Sequence, residues 1–226
     1  VLKTRLDHVV GDFAVAPKSE AELIEVLKAC YAAEVPVTTR GAGTGNYGQA
    51  MPLEGGCILH LKNLNRVKEI HPGRVIVEPG CLLKDLDAAC IADSRQELRM
   101  FSSTWATATI GGFIAGGSGG VGSCTWGSLR DLGNIIRLPV VTMEEEPRIL
   151  EFTGEELARV SHAYGTNGII TELEMPLAPA YDWIGCFVKA KDFALAAEVA
   201  RDVAEEDGIL IKLATVFEAP IAHDYF

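Results

Sequence analysis

The chain has 226 residues, of which 48% are hydrophobic and 23% are charged, a composition typical of a globular protein with one large or two smaller domains. Its net charge of −11 argues against a protein that coats nucleic acid, because phosphate contacts need clustered lysine and arginine side chains. The sequence has no run of about 18 apolar residues, so no integral membrane segment is predicted.

The ends of the chain and its cysteines indicate a cytoplasmic protein. Residues 1–7 show no signal-peptide pattern, and the absence of an initial Met is compatible with missing upstream residues. The six cysteines form no Cys-x-x-Cys pair and have no histidine at metal-finger spacing, so no metal site is predicted. Cys30 and Cys90 lie in apolar helical patterns, and Cys57 and Cys186 lie in strand-like runs, which favours reduced and mostly buried thiols.

The first part of the chain predicts a helix, a strand, a glycine-rich loop and a second strand. Ser19 and Glu22 form a capping box, and apolar residues follow at helical spacing. Residues 35–39 and 57–61 predict the strands, and residues 40–48 form the loop between them. Its glycines expose backbone N–H groups in a concavity that suits a phosphate or pyrophosphate. No long helix follows the loop, which argues against a Rossmann dinucleotide fold.

The middle of the chain contains a second glycine-rich stretch. A short buried strand at residues 75–77 ends in Glu78-Pro-Gly80, and a helix is predicted over residues 82–92. Residues 104–127 contain eight glycines together with several large apolar side chains. A flexible linker rarely carries such side chains, so we predict ordered backbone packed closely against another group.

The last part of the chain predicts the end of one domain and the start of another. Strands are predicted at residues 135–142, 148–152 and 169–175, and Thr153 with Glu156 predicts a helix that ends near Ala163. Pro176 and Pro179 then indicate a domain boundary. The remainder predicts a strand at 183–189, a helix at 193–206 and a strand at 210–217. This βαβ unit is too small to be a complete domain, so we expect a fragment of a longer protein.

Four motifs occur in order along the chain. They are Arg40-Gly-Ala-Gly-Thr-Gly-Asn-Tyr-Gly48, Val77-Glu-Pro-Gly80, Ala108-Thr-Ile-Gly-Gly-Phe-Ile-Ala115 and Gly168-Ile-Ile-Thr171. Over about residues 1–178 they resemble the FAD-binding domain of the vanillyl-alcohol oxidase / p-cresol methylhydroxylase superfamily. Within it, the flavoprotein dehydrogenases of 2-hydroxy acids (D-lactate, glycolate, D-2-hydroxyglutarate) are the most similar group. A lone glycine loop would be a weak signal, whereas four motifs in order are specific.

The resemblance implies an α+β fold and a way of holding the cofactor. Two α/β subdomains, about residues 1–70 and 71–178, would bind FAD between them, and residues 179–226 would begin a truncated C-terminal α+β substrate or cap domain. The loop at residues 40–48 would bind the pyrophosphate. The second glycine motif (108–115) would contact the diphosphate and ribityl region, and the last motif (168–171) would lie near the adenosine part. The residues that the resemblance assigns to FAD are Arg40, Gly41, Ala42, Gly43, Thr44, Gly45, Asn46, Pro79, Gly80, Thr109, Gly111, Gly112, Ala115, Gly119, Ile169 and Ile170.

The attachment of the flavin is expected to be noncovalent. Many members of the superfamily link the flavin to a histidine in the glycine loop, but this loop has Thr44, Asn46 and Tyr47 and no histidine. The neighbours of Cys124 fit a cysteinyl linkage poorly. Trp126 also departs from the family pattern, because relatives often have tyrosine at this position.

No catalytic residue is predicted in this chain. His60 alternates with strand residues, His71 lies in a turn, and His162 lies late in the predicted helix, where a cation suits the helix dipole. A structural or surface role is expected for these three and for His8 and His223. In the resembled dehydrogenases the substrate, and in some members a metal, is bound by the C-terminal domain.

The resemblance implies an oxidoreductase that oxidises a small 2-hydroxy acid by hydride transfer to flavin N5. Electrons would pass on to a quinone, a cytochrome or an electron-transfer protein, without nucleic acid as a partner, and homo-oligomerisation stays open. Three alternatives also stay open: an NADPH-using reductase of the same fold, a flavin-binding electron-transfer subunit without a substrate site, and a cofactor-free binding protein.

Overall fold

A small parallel sheet begins the fold in the computed structural model, which describes residues 8–225. Its three strands lie in the order β1-β3-β2. They are β1 (Phe13–Val15), β2 (Val37–Arg40) and β3 (Cys57–His60), paired in parallel on both sides of β3. The expectations for residues 1–7 and for the end of the chain at Phe226 lie outside the described residues.

Helix α1 (Glu20–Ala32) connects β1 to β2 and confirms the helix predicted from the capping box. The Ser19 hydroxyl accepts a hydrogen bond from the backbone N–H of Glu22 at 3.2 Å, while the Glu22 carboxylate accepts from the N–H of Lys18 at 2.7 Å. This cap satisfies donors that the first helical turn leaves without partners. Leu23 and Leu27, one turn apart, are fully buried against the parallel sheet.

The second sheet has seven strands, all paired antiparallel. The main order is β4-β5-β10-β7-β8, β6 extends the sheet beside β10, and β9 pairs with β7. The strands are β4 (Val67–His71), β5 (Arg74–Val77), β6 (Gln96–Leu98), β7 (Arg137–Val141), β8 (Ile149–Thr153), β9 (Ile169–Ile170) and β10 (Leu173–Pro179). All of β4 belongs to this sheet, which therefore begins at Val67.

Three helices accompany the second sheet. They are α2 (Leu83–Ser94), α3 (Ile110–Gly116) and the single turn α4 (Ser123–Trp126). Leu83 and Leu86 of α2 and Ile110 and Ile114 of α3 are fully buried in the larger hydrophobic core. The glycine-rich stretch at residues 104–127 is thus ordered and packed, as its apolar side chains predict.

The two cores meet at the pairing of β7 with β9. Val141 pairs with Ile169, and both side chains pack into the smaller core beside α1. The adjacent pair, Val140 and Ile170, packs into the larger core instead. Because neighbouring strand residues point to opposite faces, one ladder serves both cores. The α+β class is thus as the sequence predicts, although the second of the two predicted α/β subdomains is built on an antiparallel sheet.

An ion-pair network crosses the middle of the second sheet. Arg137 of β7 pairs with Glu151, Glu172 and Glu174, at 3.0, 2.5 and 3.1 Å. Lys68 adds a second cation beside Glu172, at 2.5 Å. Burial alone would raise the pKa of Glu172, but Lys68 and Arg137 lower it overall. The network therefore stabilises the sheet as long as its carboxylates remain ionised.

Three predicted elements are wrong in detail. Residues after Thr153 form a 3-10 turn (Gly154–Arg159) and not an α-helix, because Thr153 makes no side-chain cap and Gly154 has a φ of +55°. The segments 183–189 and 210–217 are not strands in the structure, although α5 (Phe193–Glu205) lies where the intervening helix is predicted. A last helix, α6 (Ala219–Tyr225), follows.

The two prolines that indicate a domain boundary in the sequence lie inside β10. Pro176 stands between Glu174, which pairs with β7, and Leu177, which pairs with β6. The strand changes its partner here, and the missing N–H of proline is tolerated at such a position. The two prolines therefore do not end the strand, which runs from Leu173 to Pro179.

Candidate functional site

The first glycine loop begins where β2 ends, at the carboxyl edge of the parallel sheet. In sheets of this kind, the carboxyl ends of the strands are the usual place for a ligand. Gly43 and Gly48 have φ values of +70° and +78°, which side-chain-bearing residues rarely adopt. A β-carbon on Gly43 would collide with the guanidinium of Arg40, so Arg40 folds across its own loop. The loop thus combines exposed backbone with one cation, a combination that suits an anionic group.

The loop touches the second glycine motif directly. A β-carbon on Gly41 would collide with the Thr109 hydroxyl and would lie 3.7 Å from the Cα of Gly112. Thr109 caps α3, since its hydroxyl accepts a hydrogen bond from the N–H of Gly112 at 3.2 Å. Gly112 is exposed, while Thr109 and the neighbouring Gly111 are buried. The fold therefore brings together two motifs that lie far apart in the sequence.

The Glu-Pro-Gly turn supports the second motif from behind. The N–H of Gly111 donates to the Pro79 carbonyl at 2.9 Å, and the N–H of Gly80 donates to the Leu64 carbonyl at 2.6 Å. A β-carbon on Gly80 would collide with the Leu61 carbonyl, so only glycine fits. Pro79, Gly80 and Gly111 are all buried with these hydrogen bonds satisfied within the protein. Their visible role is to position α3, and a contact with FAD at these three positions stays a prediction.

Glu78 anchors the same turn to Arg66, the residue directly before β4. Its carboxylate accepts from the backbone N–H of Arg66 at 2.9 Å and pairs with the Arg66 guanidinium at 2.8 Å. Burial alone would raise the pKa of Glu78, but the hydrogen bonds and charge of Arg66 lower it overall. Glu78 is therefore an ionised structural residue of the turn.

Open space lies beside the end of α3. Gly116 and Gly119 have no positive φ, and a β-carbon on either would meet nothing within 4 Å. Neither backbone strain nor crowding within the protein thus requires glycine at these positions. Ala115, one residue before Gly116, is half-buried, and its carbonyl accepts from the N–H of Tyr164 at 3.0 Å. Gly116 and Gly119 therefore leave room on this surface for a further group.

The last motif forms the junction of the two subdomains. Ile169 and Ile170 are buried in β9, and their backbones pair with Val141 and Val140. Gly168 before them has a φ of +124°. The two isoleucines are ordinary core residues by their side chains, and their predicted backbone contact with the adenosine part of FAD stays a prediction.

The structure corrects the placement of His162, which the sequence predicts late in a helix. His162 follows the 3-10 turn with a φ of +56°, and its ring lies against Gly117. Its Nε2 is 3.0 Å from the hydroxyl of Tyr164, which also has a positive φ of 53°. Gly165, three residues after His162, lies close to the side chain of Thr39 near the end of β2, since a β-carbon on Gly165 would be 3.4 Å from it. The segment thus runs from the second glycine motif, where the N–H of His162 donates to the Ile114 carbonyl at 3.0 Å, to the strand end that precedes the first motif. The turn-forming run Tyr164-Gly-Thr-Asn-Gly168 was the signal for it.

The other histidines occupy surface or structural positions. His60 ends β3 beside Arg40, and burial lowers its pKa, with a further contribution from the charges of Lys62 and Arg40. His71 is the last residue of β4 and does not lie in a turn, and its Nε2 is 2.8 Å from Glu69. Within residues 8–225, no three His, Cys, Asp or Glu side chains are grouped so that they would hold a metal ion.

The cysteines are free and mostly buried, as predicted. Cys124 and Cys186 are exposed, and the remaining four are buried. Burial raises the pKa of Cys57 and Cys81 to about 11 and that of Cys90 to about 12. Such thiols remain protonated and unreactive at neutral pH.

The fold and the site together define a class of protein. Two subdomains place a glycine loop with one arginine against a second glycine motif, beside a surface of small residues with free space. This arrangement suits a domain that binds the phosphates of a nucleotide cofactor through backbone donors, where a basic patch is not needed.

Comparison with known families identifies the cofactor. The model of the FAD binding domain family matches residues 11–149, which is more than half of the chain. The chain therefore belongs to this family, which confirms the resemblance found in the sequence, the α+β fold class and FAD as the cofactor.

Related proteins support the same assignment. An uncharacterised FAD-linked oxidoreductase of Mycobacterium tuberculosis is 31% identical over 182 residues, which cover 75% of this chain and 38% of the relative. A glycolate oxidase subunit of Bacillus subtilis is 31% identical, with 74% of this chain and 37% of the relative covered. A mitochondrial D-lactate dehydrogenase (cytochrome) of Arabidopsis thaliana is 30% identical, with 74% and 30% covered. The chain thus spans less than two fifths of the length of these relatives.

A solved structure shows the same fold. An alkyldihydroxyacetonephosphate synthase superimposes with a TM-score of 0.65 at 20% identity, over 75% of this chain and 32% of the other chain. Among the helices of residues 8–225, none has the length and apolar character needed to cross a membrane.

Proposed function

We propose that this chain is the FAD-binding part of an FAD-dependent oxidoreductase that oxidises a small 2-hydroxy acid. The observation that carries the proposal is the contact of Gly41 with Thr109 and Gly112, in a chain of the FAD binding domain family. The choice of a 2-hydroxy acid is supported by relatives named as a glycolate oxidase subunit and a D-lactate dehydrogenase.

Each part of the site would have a defined task. The backbone N–H groups of residues 41–46 and the guanidinium of Arg40 would hold the pyrophosphate, and Gly112 would present its exposed backbone to the same region. Ala115 and Gly119 would leave room for the ring system. FAD, when bound, would supply the redox chemistry for removal of a hydride from the α-carbon of the substrate. The residues of this chain bind and orient, and the base for the hydroxyl proton would come from the substrate domain.

We propose noncovalent attachment, because the first glycine loop has no histidine. Cys124, the other candidate for a linkage, is an exposed residue of the single-turn helix α4. Acid precipitation of the loaded protein tests this point. Flavin released into the supernatant is expected, and a yellow pellet would contradict noncovalent binding.

We propose that residues 1–178 form the FAD domain and that residues 179–226 begin a substrate or cap domain. The support is the character of α5, whose apolar residues Phe193, Leu195, Val199 and Val203 are exposed. In a longer protein, the rest of such a domain would cover this face. The electron acceptor would be a quinone, a cytochrome or an electron-transfer protein.

The proposal is tested by absorbance and by substrate reduction. The purified chain is expected to show the two visible flavin bands or to acquire them when FAD is added and free cofactor is removed. A colourless protein that takes up no FAD would contradict the proposal. Anaerobic addition of glycolate, D-lactate and D-2-hydroxyglutarate to the full-length protein should then bleach the flavin bands. Bleaching by NADPH alone would indicate the reductase, and bleaching only through a partner chain would indicate the electron-transfer subunit.

A further inference from the structure

A cavity lies away from the residues assigned to FAD, between the second sheet and the C-terminal part of the chain. Its volume is about 130 Å³. None of the residues predicted to contact FAD lines it. Its polar lining comes from Glu97, Arg99 and Lys212, and its aromatic lining comes from Trp126, Tyr181 and Trp183.

The cavity is held by several hydrogen bonds between the two parts of the chain. The N–H of Gly122 donates to the Lys212 carbonyl at 2.8 Å, and the Thr125 hydroxyl donates to the Ile211 carbonyl at 2.8 Å. The indole N–H of Trp183 donates to the Glu97 carboxylate at 3.0 Å. These bonds fix the walls on both sides, so the cavity is a built feature of the fold.

The charges around the cavity leave one cation without a counter-ion. Glu97, with a side chain only 6% exposed, pairs with Lys212 at 2.9 Å, and the two charges compensate each other. Arg99 stacks on Trp126, with its guanidinium carbon 4.2 Å from the ring centroid. Among residues 8–225, the Arg99 side chain has one hydrogen bond, from Nη1 to the Gly133 carbonyl at 3.3 Å, and no carboxylate partner.

The Arg99 side chain also has a buried donor without an acceptor. Its Nε is fully buried and forms no hydrogen bond within the described residues. Burial lowers the pKa of Arg99, but a guanidinium remains charged at neutral pH. Arg99 as a whole is only partly buried, and the outer nitrogens of an arginine fork are suited to the two oxygens of a carboxylate.

We propose that this cavity binds a small organic monocarboxylate, with Arg99 as the donor to its carboxyl group. A monoanion matches the single uncompensated charge, whereas a phosphate would place a second negative charge near Glu97. The aromatic side chains and Leu210 suit a short apolar tail. The cavity volume corresponds to roughly ten water-sized probes, which is enough for an acid of a few carbon atoms.

Isothermal titration of the protein with acetate, propionate and D-lactate tests the proposal, with chloride and sulfate as comparison anions. We expect saturable binding of at least one carboxylate and weaker binding of the inorganic anions. Arg99→Met should reduce the affinity roughly tenfold or more, since a hydrogen bond to a charged group is lost. Arg159→Met is the matched control, because Arg159 is an exposed arginine that pairs with Glu156 at 3.4 Å, away from the cavity, and its binding should equal that of the wild type.

Several outcomes would overturn the proposal. They are the absence of carboxylate binding by the wild-type protein, tighter binding of sulfate, and equal carboxylate affinities in Arg99→Met and wild type. Absence of carboxylate binding by the wild-type protein overturns the proposal even if Arg99→Met fails to fold. FAD uptake of Arg99→Met, followed by absorbance, should be unchanged. Failure of carboxylate binding is therefore distinguishable from failure of the proposed flavin function.

Discussion

Replacing Gly119 by leucine should separate the stability of the protein from its affinity for FAD. Gly119 has no positive φ, and a β-carbon added there would meet nothing within 4 Å, so the protein itself has room for the side chain. Substitution of glycine at a compatible backbone position stabilises a protein by about 0.4–1 kcal/mol, because the unfolded chain loses freedom. For a protein of this size, the apo form should therefore melt roughly 1–4 °C higher.

The same substitution should weaken FAD binding. The leucine would occupy space that the flavin needs, and forcing extra methylene groups into a packed site typically costs about 1–3 kcal/mol. This corresponds to a roughly 5- to 150-fold higher dissociation constant for FAD. Apo melting by differential scanning calorimetry and FAD titration by flavin fluorescence measure the two effects on the same preparation.

Gly185→Leu provides the matched control. Gly185 likewise has no positive φ and nothing within 4 Å of an added β-carbon, but it lies in the C-terminal segment and carries no FAD assignment. It should be stabilised to a similar extent and should bind FAD like the wild type. If Gly119→Leu and Gly185→Leu bound FAD equally well, the free space at Gly119 would not be flavin space, and the reasoning would be refuted.

Three further predictions concern single contacts. Thr109→Ala should lower the free energy of unfolding by about 0.5–2 kcal/mol in urea titrations, since α3 loses its cap, while Thr109→Ser should retain most of the stability; equal losses would contradict a capping role. The pKa of Glu78 is lowered overall, so its stabilising contribution is present above its ordinary pKa and is lost as the pH falls through the lower value of the folded state. The free energy of unfolding of Arg66→Gln should therefore differ less between neutral pH and about pH 3 than that of the wild type. An unchanged difference would exclude the Arg66–Glu78 pair as a source of the pH dependence. An aromatic disulfide reagent should label Cys124 and Cys186 in the native protein and all six thiols after unfolding; rapid native labelling of further cysteines would contradict the burial of the other four.

The sequence predicts elements whose signals are local. Helix α1 follows from the Ser19 cap and from leucines one turn apart, since both signals act within a few residues. The corresponding signal at Thr153 was misleading, because Gly154 adopts a positive φ and the chain turns into a 3-10 conformation. The strand predicted at residues 183–189 lacks a ladder in the structure, and apolar alternation alone does not supply one.

The site depends on contacts that no local pattern reveals. Glycine serves three purposes in the two glycine-rich stretches: Gly43 permits a positive φ, Gly41 permits close approach to Thr109, and Gly119 leaves free space. A sequence shows the same letter for all three. The cavity around Arg99 was likewise not predictable, because Lys212 reaches it from a distant part of the chain.

The shared ladder of β7 and β9 makes the two subdomains one thermodynamic unit. The smaller core is completed by Val141 and Ile169, which come from the part of the chain that builds the larger sheet. A cut between the two sheets would therefore remove Val141 and Ile169 from the core that Leu23 and Leu27 share with Leu59 of the parallel sheet. The parallel sheet cannot melt alone without exposing one side of that ladder, so heating should give a single calorimetric transition. Local unfolding of either sheet would therefore also disturb the contact between the first two glycine motifs and the ladder that contains the last one.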